Sequence, residues 1–223
     1  MAKAGGNTPA FPVCWPDFRN PAATRPLRFQ MQNVSFAVEY AWRAAAEEAL
    51  QTGSEMIEPI HLLIGLCSIE KFFYLDTPLQ LSGYALASIR FEWQDFANRV
   101  TAAGSSPSAL RQAARAMLPQ VAGIKASKRV KMSRSPASRA LFAHAENLSR
   151  GANSTVLGVI YLLAAMVEEE GPISALLAAQ KIDLPKLRQS VLGAAKQPLQ
   201  PGSLQGLQSS GPEVSLPPNT TMS

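Results

Sequence analysis

Histidine, cysteine and aromatic residues are scarce in this chain: two histidines, two cysteines and 7% aromatics among 223 residues. Each scarcity excludes something. A zinc-type site needs three or four ligands at short spacing. His61 stands alone and His144 has no Asp or Cys at ligand spacing, so no metal site is expected. No G-x-x-x-x-G-K-[ST] phosphate loop is present to cradle a nucleotide, and no G-x-S-x-G nucleophile elbow appears. Hence no cofactor, no catalytic residue and no enzymatic activity are expected. Cys14 lies among prolines and Cys67 in an apolar run, which is no disulfide framework and suits a reducing cytoplasm. The first residues, MAKAGGNTPAFPVCWPDF, lack the apolar core of a secretory signal. No uncharged apolar run reaches the ~18 residues of a membrane span. A cytoplasmic protein is the expectation, with no membrane partner.

Hydrophobic residues make up 47% of the chain, and alanine and leucine dominate its middle. Both sit in helices at low cost, and small side chains let helices approach closely, so a compact helical bundle is expected. The net charge of +5 is concentrated in one stretch holding Lys125, Lys128, Arg129, Lys131, Arg134 and Arg139. Such a stretch reads as a solvated connector, with nucleic acid or another acidic partner as the secondary reading.

Residues 1–33 carry Pro9, Pro12, Pro16, Pro21 and Pro26 and read as an extended arm. Phe11, Trp15, Phe18 and Phe29 in that arm could dock on the body or on a partner. Ser35 is a helix N-cap, and Val38, Ala41, Trp42, Ala45 and Ala49 follow at helical spacing until Gly53. Pro59 suits a first turn, and Ile60 to Cys67 form a second, nearly all-apolar helix. Residues 70–85 read as a loop or broken helix. Helices over about 84–100 and 109–121 follow, the latter ended by Gly123 and succeeded by the basic stretch. Ser135 and Pro136 open a helix stopped by Gly151. An apolar helix covers 158–167, Gly171 and Pro172 break the chain, and Asp183 caps a last helix to Ala195. Beyond Gln197 the composition is that of a disordered tail.

The chain repeats itself. Each copy has an alanine-rich amphipathic helix, a glycine stop, a connector and a nearly all-apolar helix: IHLLIGLC in the first, VIYLLAAMV in the second. Neither helix can bury its apolar surface alone, so two copies face to face are expected to share one core about a pseudo-twofold axis. The boundaries drawn are 34–100 for copy one, 101–133 for a linker, 134–195 for copy two, and 196–223 for the tail.

The segments IEPIHLLIGL at 57–66, VLGVIYLLAAM at 156–166 and EEEGPISALLAAQKIDLPKLR at 168–188, after AEEAL and Gly53, resemble the N-terminal repeat domain of Clp unfoldases. The resemblance implies an all-α fold of about eight helices. It also implies an interaction role whose partner is an AAA+ unfoldase, a Clp protease or a client polypeptide; with no phosphate loop in the sequence, a free-standing copy lacking ATPase modules is the expectation. Some family members recognise a cationic group such as the guanidinium of phosphoarginine with an acidic residue in each copy. The resemblance puts Ile60 and Val159 at those positions, so that recognition is expected to be lost. His61 keeps the family histidine and Ile160 replaces it in copy two. Ile60, His61, Val159, Ile160 and Tyr161 are therefore the candidate partner-binding residues, through apolar grooves. His61 also reads simply as a helix-start histidine satisfying backbone groups. The run Glu168–Glu170 reads as a solvated helix end. A nucleic-acid-binding or secretion-system-associated helical scaffold is the alternative.

Overall fold

The computed structural model describes residues 34–74, 82–119 and 132–198. The arm, the basic residues 125–131, Val121, Gly123 and the tail beyond residue 198 lie outside them. The described residues form eight α-helices: α1 Phe36–Gln51, α2 Pro59–Cys67, α3 Gly83–Ala102, α4 Pro107–Ala116, α5 Pro136–Gly151, α6 Val159–Glu168, α7 Pro172–Ala179 and α8 Leu184–Ala195. Two-residue strands, β1 Met56–Ile57 and β2 Ser133–Arg134, precede α2 and α5, and a 3-10 turn covers Ile69–Tyr74. The expected all-α architecture of about eight helices is what the chain adopts.

Local chemistry accounts for the helix starts. Ser35, Ser82, Ser106 and Ser135 each accept the N–H three residues on, and Asp183 does so for Lys186. Prolines at 59, 107, 136 and 172 occupy first-turn positions where no N–H is missed. The ends follow one pattern as well. Gly53 closes α1 with φ 70°, and its counterpart after α5 is Asn153 with φ 56°. Gly151, read as the stop from the sequence, is instead the last helical residue. Asparagine tolerates the left-handed turn that glycine otherwise supplies.

From the entry strand through the apolar helix the copies are related by an offset of one hundred residues: Ser35 with Ser135, Gly53 with Asn153, Ile57 with Leu157, α1 with α5. They interlock at their entry strands. Ser35 N–H donates to Leu157 O at 3.0 Å and Ser135 N–H to Ile57 O at 3.1 Å. β1 runs parallel to β2, and Val34 bridges Leu157 in the same sense. Trp42 and Phe142 occupy equivalent positions and meet edge to face at 5.7 Å between centroids, which puts them on the pseudo-axis. Arg134 stacks on both rings.

The core is built on α2 and α6. Seven of the nine residues of α2 and nine of the ten of α6 are buried. Helices this short are marginal in isolation. Each buried Leu or Ile contributes roughly 1.5–3 kcal/mol, against about 1–2 kcal/mol per residue for ordering the backbone. Near-complete burial is what makes them stable. α2 packs against α1 and α4, and α6 against α5 and α8, the same arrangement twice. α4 therefore belongs to the first copy, although it falls in the stretch 101–133 drawn as linker. Ser105 and Ile182 close matching turns onto Val100 O and Leu177 O, and Asp183 N–H donates to Ala103 O, joining the two turns.

The α1–α2 contact is the closest in the bundle for which a glycine is required. A Cβ on Gly65 would lie 2.1 Å from the Ala41 carbonyl oxygen. In copy two, Ala165 occupies the corresponding place and the seam holds its methyl group. Gly65→Ala is expected to destabilise the fold by about 1–3 kcal/mol through overpacking. Gly193→Ala in α8, where a Cβ meets nothing within 4 Å, is expected to stabilise it by up to ~1 kcal/mol. Urea denaturation of both variants, read as midpoint shifts of opposite sign, checks the pair.

Candidate functional site

The two apolar signature helices start at equivalent places, and this sets the correspondence between copies. α2 begins after Glu58 and α6 after Gly158, each directly behind its entry strand. Ile60 therefore corresponds to Ile160, and His61 to Tyr161. The sequence reading had paired Ile60 with Val159 and His61 with Ile160, one residue out of register. The slip arose because an all-apolar run carries no internal marker of phase. Where the resemblance would put a carboxylate, both copies carry isoleucine.

Of the five candidate partner-binding residues, three lie inside the protein. His61 is 1% exposed. Its Nδ1 accepts the Glu58 N–H at 3.0 Å, and its Nε2 stands 3.4 Å from the Thr52 and Ser54 hydroxyls. A ring nitrogen that accepts a backbone N–H carries no proton, so the proton sits on Nε2 and points to the hydroxyls. Burial pushes the imidazole below its ordinary pKa, outweighing the opposing pull of Glu48 and Glu58. It is a helix-start histidine that satisfies backbone groups. Tyr161 replaces it in copy two, buried, with its hydroxyl donating to Gln197 O at 2.9 Å. Val159 is buried, its N–H engaged by Glu92. His61 and Tyr161 cannot meet a partner from where they sit, whereas Val159 lies beneath a surface cleft. Ile60 is half-buried, and Ile160, though 8% exposed, lines a surface cleft.

That cleft is shallow, with about 20 Å³ of room; it lies between α3 and the start of α6 and is lined by Phe91, Glu92, Asp95, Phe96, Val159, Ile160 and Leu163. Phe91 is 49% exposed at its rim. Tyr84, two turns earlier on the same helix, is also exposed. The polar groups of the cleft are committed elsewhere. Asp95 forms a two-point pair with Arg99 at 2.7 and 2.8 Å, and Arg99 also donates to Ser190. Glu92 is turned inward, its Oε2 accepting the Val159 N–H at 2.8 Å and the Ser35 hydroxyl at 3.0 Å. Phe91 and Glu92 were not singled out from the sequence. The signal for Glu92 was there: Ala85, Ile89, Glu92, Phe96 and Val100 share one helical face, and a carboxylate stands in the middle of it.

Among the described residues the helix wall beside Ile160 has no counterpart beside Ile60. α3 runs for 20 residues whereas α7, its counterpart, has eight. The extra turns of α3 form the wall over Ile160. Over Ile60 no such extension of α7 exists.

A second polar cluster joins α1, α4 and the 3-10 turn. Arg115 grips the Glu48 carboxylate at both oxygens, its Nε at 2.7 Å from Oε1. Burial pushes the Glu47 carboxyl up and the Lys71 ammonium down, and Arg111 and Arg115 lower Lys71 further. The cluster reads as helix-to-helix cross-bracing. Cys67 is fully enclosed nearby, its thiol pushed up to about 12 by burial, and is unreactive. At the far end of α6, Glu168 pairs with His144 at 2.9 Å. Among the described residues no three His, Cys, Asp or Glu side chains gather as a metal site would require. No helix among them is long and apolar enough to cross a membrane.

No family model and no curated protein matches this chain. Solved structures do. One, from preliminary structural investigations of a malarial protein secretion system, aligns with a TM-score of 0.51 at 15% identity, covering 74% of this chain and 96% of that one. At that identity the likeness establishes a shared fold and nothing more.

The histidine geometry has a direct check. In ¹⁵N-detected NMR, His61 is expected as the Nε2–H tautomer with a titration midpoint below the ordinary 6.5. Because its folded pKa is depressed, the stability it contributes is present at neutral pH and falls as pH drops below that value. A midpoint at or above 6.5 would refute the buried assignment.

Proposed function

We propose that this chain is a non-enzymatic, cytoplasmic protein-interaction module akin to the N-terminal domain of Clp unfoldases. Its partner is an AAA+ unfoldase, a Clp protease or a client polypeptide, and its role is that of an adaptor in chaperone or proteolytic work. The observation that carries the reading is Phe91, half-exposed beside Ile160 on the rim of the α3–α6 cleft. Isolated exposed apolar residues are ordinary, but here Phe91 stands over an apolar cleft floor of Phe96, Val159 and Leu163. Aromatic side chains at the mouth of such a pocket are the usual anchors of protein interfaces. The chemistry favours an apolar side chain or helix face over a cationic group. Asp95 is neutralised by Arg99, Glu92 is spent on the protein's own backbone, and both signature positions are isoleucine.

The two-copy bundle adds support, since it is the arrangement that the resemblance to the Clp repeat implies. The malarial neighbour's link to a protein secretion system does not carry over at 15% identity. Of the basic residues behind the nucleic-acid alternative, Lys125, Lys128, Arg129 and Lys131 lie outside the described residues, and Arg134 is turned onto the Trp42 and Phe142 rings.

Affinity capture from the native cell, with the wild type and Phe91→Asp side by side, tests this. The wild type is expected to retain an AAA+ subunit, a Clp protease subunit or unfolded clients. Phe91→Asp is expected to lose about tenfold or more of that retention while keeping its helical circular dichroism. Equal retention by both proteins, or none of these partners with either, overturns the proposal.

A further inference from the structure

Glu92 is placed to do more than hold a helix end. Its side chain is buried on the inner face of α3. Through one oxygen it binds Ser35, which opens α1 of copy one, and Val159, which opens α6 of copy two. It thus spans the seam between the copies, and it also forms part of the cleft wall. The charged groups around it offer no compensation. On α3, Asp95 faces the same cleft and is bound to Arg99, while Arg90 lies over the Phe73 ring. On α1, Glu39 is exposed and paired with Arg43. α6 carries no ionisable group in its first two turns besides the buried Tyr161, and Glu168 at its far end is bound by His144. On α8, Arg188 donates to Val167 O. Lys71 and Arg115 stand with Glu47 and Glu48. The charge whose field reaches Glu92 is Asp95, of like sign.

We propose that Glu92 is a proton-operated latch across the seam between the two copies. Protonated, it holds α3 against the start of α6 and keeps the cleft narrow. Ionised, it admits water to the cleft and loosens the first turn of α6. The physical reason is the cost of burying a carboxylate with two hydrogen bonds but no cation beside it, relieved most directly by hydration through the opening beside Phe91. Burial pushes the carboxyl up to about 7, against the pull of the Val159 N–H and the Ser35 hydroxyl, with Asp95 adding to the rise. The folded state therefore holds this proton to a higher pH than the unfolded chain does. The stabilisation is complete below the ordinary glutamate range and is lost as pH rises through about 7.

The test uses the full chain and its Glu92→Gln variant, with amide hydrogen exchange and thermal melting followed from about pH 6 to about pH 8. In the wild type, protection of the Val159 to Leu163 amides, corrected for the intrinsic rate, is expected to fall roughly tenfold or more over that range. Tm is expected to drop by a few degrees as pH rises from about 6 and to level off above the folded midpoint near 7. Glu92→Gln keeps the acceptor oxygen and is expected to show neither change. A pH-independent wild type, or a variant with the same pH dependence, overturns the latch. Should Glu92→Gln fail to fold, Ser35→Ala removes a donor that favours the ion and is expected to move the midpoint upward, and an unmoved midpoint is equally fatal. No partner takes part in these measurements, so their failure would leave the reading of Phe91 as an anchor untouched.

Discussion

Two backbone hydrogen bonds hold the geometry from which the rest follows: Ser35 N–H to Leu157 O and Ser135 N–H to Ile57 O. Each joins the residue that caps an amphipathic helix to the residue that leads into the apolar helix of the other copy. Neither entry strand has a strand partner within its own copy, and a buried backbone group without a partner is costly. The repeat is therefore an interlocked pair in which each copy completes the other. The same exchange brings Trp42 and Phe142 together on the axis and delivers Ser35 to Glu92.

Departures from that symmetry build the site. α3 outlasts its counterpart α7 by about three turns and so walls the cleft at Ile160, whereas α7 offers no such extension beside Ile60. Gly65 draws α1 onto α2 more closely than Ala165 lets α5 approach α6. Pro59 leaves the first position of α2 without an N–H, so nothing there calls for an acceptor. Val159 at the same position of α6 keeps its N–H, and a carboxylate from α3 answers it. One copy thus carries a closed polar start satisfied by His61, and the other carries a cleft satisfied by Glu92.

Much of the fold was legible before any coordinates, because its signals are local. Serine and aspartate caps, first-turn prolines and the apolar runs marked most helix starts to within a residue or two. The misreadings have local causes too. Gly151 looked like a stop because asparagine's tolerance of the left-handed turn is a weaker signal than glycine's. The start of α4 was placed at Ala109, although Pro107 after Ser106 is the same cap-and-proline arrangement that begins α5. Of the site, Ile160 and Val159 were named for their place in the repeat and line the cleft, but His61 and Tyr161 were named with them and are core.

The sequence by itself determined the helices, their order, the existence of two copies and the absence of a carboxylate at the signature positions. Each of these depends on residue type and short-range spacing. Only the tertiary structure decided the register between the copies, because an all-apolar helix reads much the same one residue to either side and only the strand pairing sets its phase. It alone decided which apolar residues face outward and that Glu92, 57 residues from Ser35 and 67 from Val159, meets both at once. Burial and long-range pairing are properties of the packed bundle, and no window along the chain contains them.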